Sequence, residues 1–474
     1  MKPVNIHSLP DTRCLEALRD ACQRVLGPEL QTPLAKHYLN LIGMVLNRWH
    51  AASSRLPAIE SQHANERATQ MQHAQRLLEA VTASHTSSHD ATLPALVREL
   101  FVALPVAAPA DAASIRTLLG AVVTTDGAVR REFESAVADV TNATLSSGAA
   151  AHRTVDLAGL QAYLSARFPR APDLTVRSIN AIPGGHSKET ILFEIEPHPD
   201  WPSAMVIRMD AGRYGTSVTQ EYPLLVALAR ERIPVPTPLW VETDASVFGG
   251  AFMVTRRMPG APPGTLWDVS GVSASMGAEL AEALGRLHAL PLRSLDIDGS
   301  ATALPYVQAM IASSEQRWRA GMPIASVAME AAYGWMREQC RHFDAGASLV
   351  HGDPGLQNVL VEHGALQCLL DWEFAHAGDP AEDLAYCRPA IEKVMPWPDF
   401  LAAYHAAGGG DVTEQRLQFF EVWRCLRNAS LAANVLHDVQ RGAVQGLEMA
   451  AIAVNTYPKL EAQLAASLTR ALAS

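Results

Sequence analysis

The sequence has little that would tie it to an oxidising compartment or to a structural metal. Its six cysteines, Cys14, Cys22, Cys340, Cys368, Cys387 and Cys425, include no C-x-x-C pair, and most sit in apolar patterns where a thiol packs as a small hydrophobe. A disulfide framework and a zinc site are therefore not expected. The 17 histidines contain no H-E-x-x-H, so the metalloprotease pattern is absent as well. Basic charge is scarce: a formal net charge of -11 and a pI near 5.9 provide no field to hold a phosphate backbone against salt, which argues against nucleic acid as a partner. No uninterrupted apolar run approaches the roughly 18 residues needed to cross a bilayer. The start, MKPVNIHSLPD, lacks the charged-then-apolar order of a secretory signal. A cytoplasmic protein without a membrane segment is the expectation. The chain also lacks a G-x-S-x-G elbow, a G-x-x-x-x-G-K-[ST] loop and a G-x-G-x-x-G after a strand, so three common enzyme classes leave no trace.

What is present is 474 residues, 48% of them hydrophobic, a length that suits two or three domains. To about residue 145 the pattern is helical, with Leu15, Leu18, Cys22 and Val25, then Leu39, Ile42, Leu46 and Trp49, recurring at turn spacing. The small polar run Ser146-Ser147-Gly148-Ala149-Ala150 marks a boundary. A short helix with Leu157, Leu160 and Leu164 follows, and then the texture turns to strands: LTVRSINAI, ILFEIE, AMVIRMD, PLWVET and AFMVTRRM. A helix carrying Glu221, Leu224, Leu225 and Leu228 lies among them. The whole predicts a small antiparallel sheet with one helix packed on it. Beyond residue 270 helices return, interrupted once by SLVHGDPGLQNVLVEHGALQCLLDWE, where Glu362-His363-Gly364-Ala365 predicts a hairpin turn. The division expected is an all-helical region over 1–150, a small lobe over 151–260 and a mostly helical large lobe over 261–474, an α+β chain.

The sharpest chemical signal is His351-Gly352-Asp353-Pro354-Gly355-Leu356-Gln357-Asn358, followed after the hairpin by Asp371-Trp372-Glu373. Phosphoryl transfer needs an acceptor for a substrate hydroxyl proton and oxygen ligands for a magnesium ion that bridges phosphates. Asp353 suits the first need, and Asn358 with Asp371 the second. Upstream lie Gly184-Gly185-His186-Ser187 between two strands, Arg208 on the next strand and Glu221 on the next helix. A glycine hairpin admits phosphate to backbone N–H groups, a cation on the third strand reaches it, and a helix glutamate orients that cation. Turn chemistry in Asp353-Pro354-Gly355 and solvated charges at Arg208 and Glu221 are the bland alternatives, and they leave the order of the pieces unexplained.

From about residue 154 to about 440 the chain resembles the aminoglycoside phosphotransferase and choline-kinase-like family. Its LVHGDPGLQNVLV and LLDWEFAHAGDPAEDLAY are most similar to the branch that occurs fused to, or alongside, acyl-CoA dehydrogenases. The resemblance implies a two-lobed protein-kinase-like fold that uses ATP and Mg2+. It implies Asp353 as catalytic base, Asn358 and Asp371 as metal ligands, and Gly184, Gly185, Ser187, Arg208, Glu221, Met253 and Val254 in nucleotide binding. Phe252-Met253-Val254-Thr255 would then be the hinge whose backbone receives adenine. Arg208 stands where many relatives have lysine, and it still offers a charged fork to phosphate. Asp379 and Asp383 are expected to serve packing and hydrogen bonding.

The resemblance leaves the first 145 or so residues uncovered. For the acceptor, the helices after Phe400 mix Glu414, Glu421 and Asp438 with Arg416, Arg424, Arg427 and Arg441, which does not suit a cationic antibiotic. An anionic or CoA-bearing substrate fits those arginines, and the resemblance to the acyl-CoA-dehydrogenase-linked branch implies a hydroxyacyl-CoA or hydroxy acid, with an aminoglycoside or amino-alcohol as the alternative. A nucleotide-binding interaction protein without turnover is the rival from another class. Self-association of two copies through the N-terminal helices is a further expectation.

Overall fold

The computed structural model describes residues 22, 27, 33–81, 92–140, 155–171, 173–182, 188–210, 217–264, 271–297, 300–321, 326–342, 345–440 and 447–473. The apolar spacing of the N-terminal region forms α1 (Pro33–Ser54), α2 (Leu56–Val81), α3 (Leu93–Ala103) and α4 (Pro109–Val140). In α3 the residues Leu93, Leu96, Val97, Leu100 and Phe101 fall on one buried face. A proline in its first turn costs nothing, because that N–H has no helical partner anyway.

The chain divides into two compact units, neither continuous in sequence. The first joins α1 to α4 with α8 (Leu304–Gly321) beyond Tyr306, α9 (Val327–Gln339), α12 (Glu414–Gln440) beyond Leu417, and α13 (Leu447–Ala473). One boundary between the units falls between Gly148 and Ala149. The expected continuous large lobe over 261–474 does not form one unit, since residues 307–343 and 418–474 pack with the N-terminal helices. The physical reason lies in shared cores. Phe101 of α3 lies so close to Gly334 of α9 that a Cβ there would sit 2.3 Å from its ring. Arg130 of α4 pairs with Asp126 and with Glu461 of α13, and Ser326 also donates to Glu461. Breaking such a buried pair costs about 3–5 kcal/mol, so these helices hold one another.

The second unit is built on a five-stranded antiparallel sheet, order β1-β2-β3-β5-β4. Its strands are β1 (Val176–Ile182), β2 (Lys188–Ile195), β3 (Ala204–Asp210), β4 (Pro238–Glu242) and β5 (Phe252–Arg256), matching the five strand runs expected from the alternation. Ile191, Phe193 and Ile195 of β2 and Met205, Ile207 and Met209 of β3 share a core with Leu160 and Leu164 of α5 (Leu157–Arg167). Each such side chain contributes about 1.5–3 kcal/mol on full burial. The period of two sends Lys188, Arg208 and Asp210 to the opposite face. Helix α6 (Val218–Arg230) carries Glu221 in its first turn, and Ser217 caps it by accepting from Thr219 N at 3.2 Å.

After α7 (Ala274–Ala289) the unit resumes with β6 (Ser348–Val350), β7 (Val359–Glu362), β8 (Ala365–Leu369) and β9 (His376–Gly378), then α10 (Ala381–Ile391) and α11 (Trp397–Ala406). The β7–β8 hairpin turns at the expected place. His363 has φ 52 and Gly364 φ 83, the two positive values that a two-residue turn matching the strand twist requires.

Candidate active site

The loop His351–Asn358 runs from β6 to β7, and its backbone is held from beneath. Asp383 of α10 has no exposed surface. It accepts His351 N and Gly352 N at 2.7 Å each, and its Oδ2 lies 3.0 Å from His288 Nε2 of α7. Burial works against its charge, but the hydrogen bond from His288 and the neighbouring His351 hold its carboxyl below the usual aspartate value. The expected packing and hydrogen-bonding character of Asp383 takes this concrete form. Gly352 has φ +80, and a Cβ on it would lie 2.5 Å from Phe374 O, so only glycine fits. The His351 ring donates from Nε2 to Leu370 O at 2.9 Å, which leaves Nδ1 to accept Asp353 N at 3.2 Å. Its tautomer is thereby set, and Asp353 emerges half-buried beside it.

Asn358 closes the loop, donating from Nδ2 to Asp353 O at 2.9 Å and to Asp353 Oδ2 at 3.0 Å. Its own carbonyl accepts Leu370 N at 2.7 Å, so Asn358 and Asp371 arrive on adjacent chain segments at the open end of the β7–β8 hairpin. Asp371 is left-handed at φ 64, a conformation that costs a non-glycine residue about 1–3 kcal/mol and tends to mark functional positions.

Arg208 reaches this segment from the sheet. Its Nη2 lies 2.7 Å from Asp371 Oδ1, and its Nη1 lies 3.7 Å from Glu221 Oε1, which also accepts Trp372 N at 3.3 Å. Burial opposes the guanidinium charge, yet Glu221 first and Asp371 next keep its pKa above the ordinary arginine value. Burial pushes Glu221 up against the pull of Arg208. The expected Arg208–Glu221 pair is thus a three-way arrangement in which Asp371 makes the shorter contact. Arg208 Nε and Glu221 Oε2 are buried without a hydrogen-bond partner, and a guanidinium edge in that state fits a phosphate oxygen.

Other expected positions stand differently. Met253 and Val254 lie inside β5, where β3 and β4 flank residues 252–255 on both sides. Their backbone groups belong to the ladder, which corrects the hinge expectation: this segment's backbone is not available to adenine. Val254 packs in the apolar core of the sheet, whereas Met253, directly opposite Arg208, turns its side chain to the Arg208 face. The chain leaves the ladder one step later. Arg257 N donates to Ala204 O at 3.0 Å and Ala261 pairs with Val361, with Met258, Pro259 and Gly260 between them. Gly184, Gly185 and Ser187, with His186, lie outside the described residues. Of the arginines expected to meet an anionic acceptor, Arg416 is bound to Asp379 in a pair with Oδ2 at 2.8 Å. Arg424 and Arg427 belong to the first unit, and Arg441 lies outside the described residues.

The sequence reading missed Lys188, Asp210 and Glu373. Lys188 is 2% exposed, with Nζ 3.1 Å from Asp210 Oδ1 and 3.6 Å from Glu373 Oε2. Two cations, Lys188 and Arg208, thus face four carboxylates, Asp210, Glu221, Asp371 and Glu373. That excess of negative charge is what a bound divalent cation offsets.

An aspartate, a neighbouring amide and carboxylate, and a buried cation between a helix glutamate and that carboxylate form a constellation that suits a phosphotransferase of kinase-like fold. The chain belongs to the phosphotransferase enzyme family, whose sequence profile matches residues 178–420. It is similar to acyl-CoA dehydrogenase family member 11 of Mus musculus, 27% identical over 243 residues, which are 49% of this chain and 30% of that protein. The Gallus gallus protein of the same description is 29% identical over 173 residues, 36% of this chain and 22% of the relative. The chain therefore spans less than a third of these curated relatives. Among solved structures it resembles a Ralstonia eutropha JMP134 protein assigned as an aminoglycoside phosphotransferase. The TM-score there is 0.50 at 18% identity, covering 66% of this chain and 98% of that one. No helix among the described residues is long and apolar enough to cross a membrane.

Proposed function

We propose that the protein transfers the γ-phosphate of ATP, with Mg2+, to the hydroxyl of a small hydroxy acid or hydroxyacyl-CoA. The observation behind this reading is the convergence of Asp353, Asn358, Asp371 and Arg208 from three chain segments onto one site. Asp353 accepts the proton of the acceptor hydroxyl, its carboxylate oriented by Asn358 Nδ2 at 3.0 Å. Asn358 and Asp371 supply hard oxygen ligands. Among the described residues no three His, Cys, Asp or Glu side chains form a self-sufficient metal cage, and magnesium held by one or two protein groups plus phosphate oxygens needs none. When bound, the metal supplies charge neutralisation between phosphate oxygens. Arg208, steadied by Glu221, exchanges part of its contact with Asp371 for a phosphate oxygen. The backbone at Met258–Gly260, outside the ladder, offers adenine its polar partner in place of residues 252–255. What supports the acceptor class is the likeness to the acyl-CoA dehydrogenase family members over this region.

A coupled assay of ADP release against hydroxy acids, their CoA thioesters and amino-alcohols tests the reading. Turnover on one of the first two classes is expected, with Asp353→Asn lowering it by about 10^2–10^4 while nucleotide affinity stays within a few-fold. Turnover confined to amino-alcohols would reject the acceptor class. Unchanged turnover in Asp353→Asn would reject the base.

A further inference from the structure

We infer that Lys188 is a positioning residue that joins the Glu221-bearing helix to the segment carrying Asp371, and so sets the grip of Arg208 on nucleotide phosphate. The inference rests on the proposed nucleotide site and deepens it. In sequence Lys188 is an unremarkable charge at the head of a strand. In the sheet it stands directly opposite Asp210, as Thr190 stands opposite Arg208, so the two cations occupy one face, one pleat apart.

From Lys188 two paths reach the site. Through Asp210 the first runs to helix α6: Asp210 Oδ1, 3.1 Å from Lys188 Nζ, also accepts Val218 N at 3.0 Å, and Asp210 Oδ2 accepts Ser217 Oγ at 2.8 Å. Val218 is the first residue of α6 and Ser217 its cap. The carboxylate thus holds the helix end one turn from Glu221, where the helix dipole favours negative charge. The second path is shorter, because Glu373, 3.6 Å from Lys188 Nζ, is two residues from Asp371 and one from Trp372, whose N–H reaches Glu221. One buried ammonium therefore spans both ends of the Arg208–Glu221–Asp371 arrangement. Burying a lysine to 2% exposure carries a desolvation cost that only partners of opposite sign offset. Losing it leaves Asp210 and Glu373 to repel the carboxylates already present and frees the helix end from the metal segment.

The test compares Lys188→Met, Lys188→Arg, Glu373→Gln and the Lys188→Met/Glu373→Gln pair in the full chain. Mg·ATP and adenosine binding are read by calorimetry, and amide exchange is followed at Val218 and Trp372. Lys188→Met should weaken Mg·ATP about tenfold, leave adenosine within about twofold, and speed exchange at both amides, with Lys188→Arg recovering part of the loss. The double variant should bind Mg·ATP no more than about twofold worse than Lys188→Met. Equal losses for ATP and adenosine, additive losses in the pair, or exchange unchanged at Val218 and Trp372 would overturn the coupling. Should Lys188→Met fail to fold, Glu373→Gln makes the same comparison, with exchange at Trp372 and ATP affinity as the deciding readings. A wild type that binds no Mg·ATP would reject the nucleotide site itself, while exchange at the two amides would still decide whether Lys188 couples them.

Discussion

Asp383→Ala puts the support of the loop to a quantitative test. The carboxylate divides its two oxygens: Oδ1 takes Gly352 N, and Oδ2 takes His351 N and faces His288 Nε2. Alanine removes the acceptor of two buried backbone N–H groups, at about 1–3 kcal/mol each. It also strips His288 of a buried partner. Together these place the loss at about 4 kcal/mol, a large fraction of a typical domain's stability. Equilibrium urea unfolding of the full chain should show the midpoint falling at unchanged slope, the mark of lost stability rather than altered compactness. Turnover should fall with it even at low denaturant, because Asp353 lies one residue beyond Gly352. The pH dependence has a definite sign. A carboxyl held below its ordinary value of 3.8 contributes stability that is fully present above that value and is lost as pH falls beneath it. Asp383→Ala should therefore flatten the acid limb of the stability curve below about pH 3.8. A destabilisation under about 1 kcal/mol, or turnover left intact in a destabilised variant, would refute the claim that this carboxylate organises the loop.

Gly352→Ala combines a left-handed backbone with a Cβ 2.5 Å from Phe374 O and should cost about 2 kcal/mol or more; a midpoint unchanged in urea would show that the loop yields freely. His376, placed 3.2 Å from Glu382, has its pKa pushed up to about 9 from 6.5, as Glu382 and Phe374 O outweigh the opposing effect of burial. Its contribution is fully present below pH 6.5 and is lost as pH rises through about 9, so thermal unfolding of wild type, compared with His376→Gln, should lose ground over that window; parallel curves would refute the assignment. A chain beginning at Thr154 removes Phe101 from beside Gly334 and Arg130 from beside Glu461, and it should aggregate or melt without cooperativity. A soluble chain with a sharp transition would show that α9, α12 and α13 keep their fold without α1 to α4.

Much of the fold was legible because local signals state it: the alternation in AMVIRMD, the turn at His363-Gly364, the spacing of Leu160 and Leu164. The loop from His351 to Asn358 was legible as a candidate site for a related reason, since its pattern consists of residue types at short, fixed separations. The limits of the N-terminal unit were not legible in this way. Helices α9 and α13 show the same apolar period whichever helices they meet, and nothing in that period points to Phe101 as the neighbour of Gly334.

The hinge expectation failed through a register effect of the same kind. Phe252-Met253-Val254-Thr255 has the apolar texture of a strand end, but whether a strand's backbone is free depends on how many neighbours it has, and β5 has two along residues 252–255. Sequence alternation reports which side chains are buried and is silent on which backbone groups are paired. Lys188 shows the same gap from the side of charge. Its partner Asp210 is 22 positions away, brought opposite by the antiparallel register of β2 and β3, and its partner Glu373 comes from another part of the chain altogether. A buried ammonium is tolerated only where such partners meet. The features that escape a reading of the sequence are thus the pairings between distant segments, and in this site they include the contact of Arg208 with Asp371.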